Sequence, residues 1–323
     1  MQPTRALWHI DNSTSLIKEG ELSSSLESVT VESAYSLVSL GTELLIARGL
    51  VPPEMYHDMK VPYMAGDFKM PVKYGYSLTG RLRETGAHIH VMHPHQDLCN
   101  VHESHTFEIP KDIPLKRATL ASNLETALNA VWDAQLMPGE RVLVVGCGMI
   151  GSLVSRITSN IPGCVLQVFD PHEDRMRYAD GFGFSLLEDP DGAIAPFDVA
   201  FHCSGTGQGL QLALNLVGKE GRVVELSWYG THPVNISLGG AFHSLRKRII
   251  SSQVGSIPPH MSSRWDFRRR KETVFELLKD SAYDQHITNV ITLDEAATLF
   301  NTWRHESPKG LGYCIQYRDA SEV

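Results

Sequence analysis

A glycine-rich segment in the middle of the chain has the spacing of a dinucleotide-binding loop. The segment 146–151 reads Gly-Cys-Gly-Met-Ile-Gly and directly follows the apolar run 141–145, which is typical of a parallel strand buried on both faces. In G-x-G-x-x-G loops the first glycine permits a tight turn, the second lets a pyrophosphate approach the backbone, and the third lets the next helix pack on the strand. An ordinary glycine-rich turn is the alternative. The pattern predicts cofactor contacts at Gly146, Gly148, Met149, Ile150 and Gly151.

An acidic residue follows the next predicted strand. Asp170 lies 19 residues after Gly151, about where such sites place the carboxylate that binds the ribose hydroxyls. A carboxylate accepts hydrogen bonds from a 2′-hydroxyl and repels a 2′-phosphate, so we predict NAD(H) rather than NADP(H). Arg175 and Arg177 follow closely and would soften this preference. Asp170, which precedes a proline, also fits a plain turn.

The segments around this loop alternate between strand and helix patterns. Apolar runs at 165–169, 198–202, 221–226 and 249–253 read as strands, with helical stretches between them. This alternation is typical of βαβ units, so we predict a doubly wound parallel sheet, a Rossmann fold. The N-terminal 35 residues instead alternate apolar and polar side chains, which indicates a β-rich start. A helix is predicted over 123–135, with Ser122 as its cap.

The composition excludes several classes of protein. The 323 residues are 42% hydrophobic and 20% charged, which is unlike a disordered, collagen-like or coiled-coil chain. The net charge of −8 disfavours non-specific nucleic-acid binding. The five cysteines include no C-x-x-C pair, so a disulfide framework and a cysteine-rich zinc site are not expected. No apolar run has membrane-spanning length and no signal peptide is evident. We therefore expect a cytoplasmic protein that binds a small molecule, without membrane or nucleic-acid partners.

A β-rich domain followed by a mid-chain Rossmann motif resembles the medium-chain dehydrogenase/reductase superfamily over nearly the whole chain. The segment 39–43, Ser-Leu-Gly-Thr-Glu, resembles the C-G-T-D motif of its zinc-dependent members, with Leu40 in place of the cysteine. The segment 72–77 resembles their G-H-E motif, with Tyr76 in place of the histidine. Glu125 lies in a stretch similar to the one that supplies a glutamate in polyol dehydrogenases.

The resemblance implies a domain organisation and an oligomeric state. A GroES-like substrate domain would comprise residues 1–121 and 259–323, around a Rossmann domain at 122–258. A homodimer through edge strands of the cofactor domain is implied too. By position in this architecture, we expect Ser204, Ser227 and Gln253 on the cofactor side.

The departures from the zinc motifs predict a site without catalytic zinc. A catalytic zinc needs three protein ligands, but Leu40 cannot ligate and a neutral Tyr76 is a poor ligand. Among the zinc-free branches of the superfamily, the sequence around 41–43, 71–75 and 225–230 is similar to that of proteins related to bacteriochlorophyllide a dehydrogenase. That enzyme oxidises a chlorin side chain with NAD. We predict an NAD-dependent oxidoreductase that interconverts a secondary alcohol and a ketone. The resemblance allows a bulky substrate. An NADPH-dependent quinone or enoyl reductase and a non-catalytic NAD-binding sensor are the alternatives.

Without a Lewis acid, a side chain must transfer or polarise the substrate's proton. Tyr76 is the first candidate, and Lys73 would lower its pKa if the two side chains meet. Thr42 would relay the proton, or else cap the following helix. Glu125 would act as a base, or else form a salt bridge. Glu43 would pair with an arginine.

Two further clusters are interpreted as surface features. The histidines between residues 88 and 105 read as a polar strand and loop, with a substrate-facing His93 or His95 or a metal site as alternatives. The basic stretch at 264–271 is predicted to be a helix over 262–280 with a solvated face. An anionic substrate or a partner subunit is the other interpretation of that stretch.

Overall fold

The computed structural model describes residues 2–22, 28–192 and 196–318. The chain divides into two compact units. The first, here called the β-rich unit, comprises residues 1–122 and 275–323, and the second, here called the Rossmann unit, comprises residues 123–274. The domain boundaries that the sequence analysis predicted, at 121/122 and 258/259, remain predictions.

The described residues form strands and helices in both units. The strands are β1 (Pro3–His9), β2 (Ser15–Glu21), β3 (Ser28–Val38), β4 (Ala65–Gly66), β5 (Val72–Lys73), β6 (Leu78–Leu82), β7 (His88–Val91), β8 (Leu98–His102), β9 (Thr106–Glu108), β10 (Arg141–Val145), β11 (Val165–Phe169), β12 (Phe197–His202), β13 (Val217–Glu225), β14 (Arg248–Ser251), β15 (Asn289–Thr292) and β16 (Tyr313–Gln316). The helices are α1 (Leu40–Ala47), α2 (Leu115–Ala118), α3 (Ala121–Ala134), α4 (Met149–Ser159), α5 (Glu173–Gly181), α6 (Gly207–Leu216), α7 (Ala241–Ser244), α8 (Phe267–Leu278) and α9 (Leu293–Trp303).

The Rossmann unit is built on a parallel sheet with strand order β11-β10-β12-β13-β14. Its interior strand β10 is apolar along most of its length, as expected where helices cover both faces of a doubly wound sheet. Leu143 of β10, Phe197 of β12 and Leu214 of α6 are all at most 2% exposed and pack in one core. The carboxyl ends of β10, β11 and β12 therefore meet at one edge, where such folds bind ligands.

The β-rich unit contains two sheets with mostly antiparallel strands. One has the order β2-β1-β5-β4, and the other has the order β15-β16-β3-β6-β7-β9, with β8 also paired to β3. Helix α9 begins with a capping box between Thr292 and Glu295 and buries Phe300 against Leu7 and Ile315. This combination of a Rossmann sheet and a β-rich second part agrees with the predicted fold class.

Some element boundaries differ from those predicted. Helix α3 begins at Ala121, so Ser122 is not its cap; the Ser122 hydroxyl instead donates to the backbone oxygen of Tyr76 at 2.9 Å. Helix α8 is shorter than the predicted 262–280 at both ends. Helix α4 begins at Met149, immediately after Gly148.

Strand β14 lies at the edge of the parallel sheet, and its Ile249 is 37% exposed. A homodimer through such an edge stays a prediction. In the parts of the chain that the structure describes, no helix has both the length and the apolar character to span a membrane.

Candidate active site

The three glycines of the 146–151 loop differ in their surroundings. Gly146 has a φ of +98°, and a Cβ there would lie 2.6 Å from the backbone nitrogen of Ser204. A Cβ at Gly151 would collide with the carbonyl oxygen of Gly146, so α4 packs on the loop only with glycine at 151. A Cβ at Gly148 would meet nothing within 4 Å. The space above Gly148, at the N-terminus of α4, is therefore open to a ligand.

A pocket of about 320 Å³ opens at this loop, within the Rossmann unit. It brings together four of the predicted cofactor residues, at the carboxyl ends of β10, β11 and β12: Gly146, Gly148, Asp170 and Ser204. Backbone N–H groups at a helix N-terminus favour an anion such as a diphosphate. The residues of the pocket thus fit a dinucleotide.

Asp170 is tied to the glycine loop. Its Oδ2 accepts a hydrogen bond from the Cys147 N–H at 2.8 Å, and its Oδ1 accepts one from the His172 N–H at 3.0 Å. Each carboxylate oxygen retains acceptor capacity for a ribose hydroxyl. Arg175 lines the same pocket and would attract a 2′-phosphate. The pocket therefore holds both a carboxylate that favours NAD(H) and a guanidinium that favours NADP(H).

The other predicted cofactor residues lie outside the lining of this pocket. Met149, Ile150 and Gly151 form the first turn of α4. Ser227 accepts a hydrogen bond from Gly205 N–H at 3.0 Å, and the Gln253 carbonyl accepts one from a side-chain amide of α3 at 3.4 Å. Their roles toward a cofactor stay predictions.

A buried polar chain beside the pocket was missed by the sequence analysis. His202, fully buried at the end of β12, donates from Nδ1 to Glu225 of β13 at 2.8 Å, and its Nε2 lies 2.6 Å from the hydroxyl of Ser204. Burial alone would raise the pKa of the Glu225 carboxyl, but the hydrogen bonds that it accepts from His202, Ser227 and Tyr229 lower it. The signal was available: His202 and Glu225 are polar residues that end two apolar strands paired in register.

Tyr76 and Thr42, the first two predicted catalytic residues, come together in the β-rich unit. The hydroxyls of Ser39 and Thr42 hydrogen bond to the Tyr76 phenol, because α1 begins directly after Ser39 and carries Thr42 in its first turn. Burial, with a smaller contribution from the Glu43 carboxylate, raises the pKa of Tyr76 to about 12. At neutral pH Tyr76 is therefore a protonated donor, and Thr42 lies within the helix rather than capping it.

Lys73 does not act on Tyr76 as expected. Its Nζ donates to the Gln96 side chain at 2.6 Å, and burial lowers its own pKa. The Lys73 ammonium is therefore directed to Gln96 rather than to the Tyr76 phenol. The expectation that Lys73 lowers the pKa of Tyr76 is wrong.

Glu125 forms a buried salt bridge, which was the second interpretation of this residue. Its Oε1 lies 3.3 Å from the Arg270 guanidinium and its Oε2 lies 2.5 Å from the Lys271 ammonium, all within the Rossmann unit. A carboxylate held by two cations is a poor base. The solvated face predicted for the basic helix is wrong for these two residues, which are 4% and 2% exposed.

The positions that resemble zinc-ligand motifs do not supply a ligand set. Leu40 has no donor atom, the Tyr76 phenol bonds to two hydroxyls, and Glu125 is held by its two cations. Among residues 2–22, 28–192 and 196–318, no group of three histidine, cysteine or acidic side chains is arranged to hold a metal ion.

The histidine cluster divides into two sets. His88, His102 and His105 are exposed, as the surface interpretation expects. That interpretation is wrong for His90, His93 and His95, which are at most 3% exposed. Hydrogen bonds within the protein satisfy two of these buried rings. His95 Nε2 donates to Glu43 Oε2 at 2.8 Å, and His95 Nδ1 lies 2.7 Å from the hydroxyl of Ser36. His93 Nδ1 donates to the backbone oxygen of Pro94 at 2.8 Å. The partner of Glu43 is therefore a histidine and not an arginine.

The buried His93 makes stability depend on pH in a defined direction. Burial and the charge of Lys73 lower the pKa of His93 to about 3, so the unfolded chain binds a proton between about pH 6.5 and 3 that the folded chain does not. The free energy of unfolding should fall as the pH drops through this window, by at most about 1.4 kcal/mol per pH unit for one histidine. Denaturant unfolding of His93→Phe at several pH values should show a shallower dependence. The exposed His88→Asn serves as control, and an unchanged slope in His93→Phe would contradict the assignment.

Comparisons with known proteins find dehydrogenases that match part of the chain. No model of a known protein family matches the chain. It is 27% identical over 136 residues to the 2-dehydro-3-deoxy-L-galactonate 5-dehydrogenase of Pseudoalteromonas atlantica, which covers 39% of this chain and 40% of that protein. It is 26% identical over 182 residues to the D-guloside 3-dehydrogenase of Escherichia coli, covering 53% and 52%. The chain thus matches about half the length, or less, of these relatives.

Solved structures match over almost the whole chain. A protein described as a zinc-binding dehydrogenase of Sinorhizobium meliloti, bound to NADP, has a TM-score of 0.77 at 17% identity and covers 98% of this chain and 100% of its own. The (2R,3R)-butanediol dehydrogenase of Bacillus subtilis has a TM-score of 0.75 at 16% identity, with coverage of 98% and 99%. An alcohol dehydrogenase of Escherichia coli complexed with NADH has a TM-score of 0.76 at 14% identity, with coverage of 98% and 100%. The fold is that of medium-chain alcohol and polyol dehydrogenases, a Rossmann part with a GroES-like part.

Proposed function

We propose that this protein is a nicotinamide-dependent oxidoreductase that interconverts a secondary alcohol and a ketone. The observation that carries the proposal is the open space above Gly148, in a loop where a Cβ at Gly146 or Gly151 would collide with backbone atoms. Such a cradle fits a diphosphate, and the pocket beside it has room for further parts of a dinucleotide. The relatives' names support a hydroxylated substrate: a sugar acid, a guloside and butanediol. The bulky substrate that the sequence resemblance allows remains a prediction.

Tyr76 supplies the proton in this proposal. When bound, the nicotinamide ring donates a hydride to the carbonyl carbon or accepts one from the alcohol carbon. The Tyr76 phenol donates a hydrogen bond to the carbonyl oxygen and passes its proton to the alkoxide that forms. A phenol is more acidic than an aliphatic alcohol, so this transfer is favourable even with the pKa of Tyr76 raised to about 12. Ser39 and Thr42 then donate to the phenolate and stabilise it.

We propose further that no catalytic zinc takes part. The proposal is supported by the donor set: a leucine at 40, a phenol at 76 that bonds to two hydroxyls, and a carboxylate at 125 held by Arg270 and Lys271. The carbonyl is then polarised by the hydrogen bond from Tyr76 instead of by a Lewis acid.

Tyr76→Phe tests the proton donor. We expect the turnover number for ketone reduction to fall about 10²- to 10⁴-fold, since a general acid contributes on this scale. Equilibrium binding of NADH, followed by its fluorescence, should stay unchanged. In the wild-type protein, reduction should continue through mildly alkaline pH, because the acid form of Tyr76 persists until the pH approaches its pKa of about 12.

Tyr74→Phe is the matched control for this substitution. Tyr74 is a neighbouring buried tyrosine whose hydroxyl donates to the Met59 carbonyl at 3.1 Å. The folded fraction of the Tyr74→Phe variant should retain the wild-type turnover number. Full turnover in Tyr76→Phe would remove Tyr76 from the mechanism.

We propose NAD(H) as the preferred cofactor, with Asp170 as the selecting residue. Asp170→Asn removes the negative charge and keeps one acceptor oxygen, which can still bond to the Cys147 N–H of the loop. The ratio of NADH to NADPH affinity should drop about tenfold or more, because the repulsion of a 2′-phosphate is lost and Arg175 remains. Binding titrations with both cofactors measure this ratio. Asp174→Asn, an exposed carboxylate on α5, is the control, and an unaltered ratio in Asp170→Asn refutes the assignment.

A further inference from the structure

A chain of hydrogen bonds runs from a partly buried carboxylate to the wall of the cofactor pocket, and the proposed reaction does not use it. It begins at Glu225, passes through His202, and reaches the Ser204 hydroxyl at 2.6 Å from His202 Nε2. The Ser204 hydroxyl lies 2.9 Å from that of Thr206, which caps α6 by accepting from the Gly209 N–H at 3.1 Å. Ser204 and Thr206 line the pocket, whereas His202 is completely buried behind them.

The members of this chain are packed tightly against α6 at Gly209. A Cβ at Gly209 would lie 2.8 Å from His202 Nε2 and 3.1 Å from Thr206 Oγ1, and it would collide with the Ser204 hydroxyl. The side chains therefore have little freedom to exchange these partners. What can change within the chain is the position of its protons.

We propose that His202 and Glu225 are positioning residues that set the donor direction of Ser204 and Thr206, and so couple dinucleotide binding to the uptake of one proton. This inference rests on the proposed function, in which the pocket binds a nicotinamide dinucleotide. It adds a regulation of that binding by pH.

The two protonation states of His202 give opposite hydrogen-bond directions. With neutral His202, Nδ1–H donates to Glu225, and Nε2 accepts the Ser204 proton. Ser204 then accepts from Thr206, so both hydroxyl protons point away from the pocket. With protonated His202, Nε2–H donates to Ser204, Ser204 donates to Thr206, and the Thr206 proton is released toward the pocket. The cationic state thus adds one donor for a phosphate or ribose oxygen, along with a positive charge beside it.

The groups that face His202 do not compete for this proton near neutral pH. On β13 and the loop after it, the pKa of Glu225 is lowered, while burial raises that of Tyr229, whose hydroxyl donates to Glu225 at 2.9 Å. Burial also raises the pKa of Cys203 beside it, and raises that of Cys147 in the glycine loop to about 12.

Two further described elements next to β12, the strand β10 and the helix α6, place no titratable group against His202. Val145 of β10 lies opposite it in the sheet, and α6 contains no titratable side chain. Asp170 and Arg175 face the pocket from its other side, with opposite charges.

Calorimetric titration with NADH tests the coupling. Measured at several pH values in buffers of different ionisation enthalpy, the wild-type protein should take up a fraction of a proton that rises toward one with pH. Its dissociation constant should increase by up to about tenfold per pH unit over that range. His202→Gln, whose amide can still bond to both neighbours, should bind NADH without proton uptake and with a flat pH dependence.

Two further variants separate the chain from general effects. Thr206→Val, which lacks the terminal donor, should behave as His202→Gln does, and Thr206→Ser should restore the wild-type pH dependence. His243→Gln, an exposed histidine on α7, should match the wild type and serves as the control.

The outcomes distinguish this inference from the proposed function. NADH binding with equal proton uptake in the wild type and in His202→Gln, or with none in either, overturns the inference and leaves the proposed function standing. A wild-type protein that binds neither NADH nor NADPH at any pH overturns the proposed function and the inference together.

Discussion

The close approach of α4 to the end of β10 is the constraint on which the rest of the Rossmann unit depends. A side chain at Gly151 would collide with the Gly146 carbonyl, so glycine at this position lets the helix start directly over the strand. Its first turn then presents free N–H groups to the space above Gly148, and the Asp170 carboxylate fixes the loop by accepting from Cys147 N–H. Local backbone sterics thus create the pocket, and the charges of its wall select what enters.

In the proposed mechanism, hydrogen bonding within the β-rich unit takes the place of metal chemistry. A phenol at 76, partly enclosed and bonded to Ser39 and Thr42, has its pKa raised to about 12 by burial. It is therefore neutral at physiological pH, so that it need not pay the desolvation cost of an ion. In the proposed reaction it donates to an oxygen on which negative charge develops, and the two hydroxyls that bond to it stabilise its own anion.

The sequence predicted what depends on local pattern and missed what depends on tertiary partners. The glycine spacing and the apolar runs identified the loop, the parallel strands and Asp170. The motif resemblance named Tyr76 and Thr42 as candidates, and the fold brings these two side chains together. The partners of Lys73 and Glu125 were not accessible, because Gln96 and Arg270 lie far along the chain and are brought close only by folding. The buried histidines were read as surface residues for the same reason, since acceptors such as Glu43 satisfy them from distant segments.

The proposed hydride transfer without a catalytic metal is tested directly by following deuterium from NADH to a ketone. Protein dialysed against a chelator, with its residual zinc quantified, is incubated with a panel of hydroxyketones and NADH that carries deuterium at both C4 positions. The masses of the products are then measured by mass spectrometry. If no catalytic zinc takes part, we expect an alcohol that carries one deuterium on its carbinol carbon, and added zinc should not raise the rate at which it forms. The proposal is contradicted if deuterium is transferred only after zinc is restored, or if NADH binds and no ketone of the panel gains deuterium.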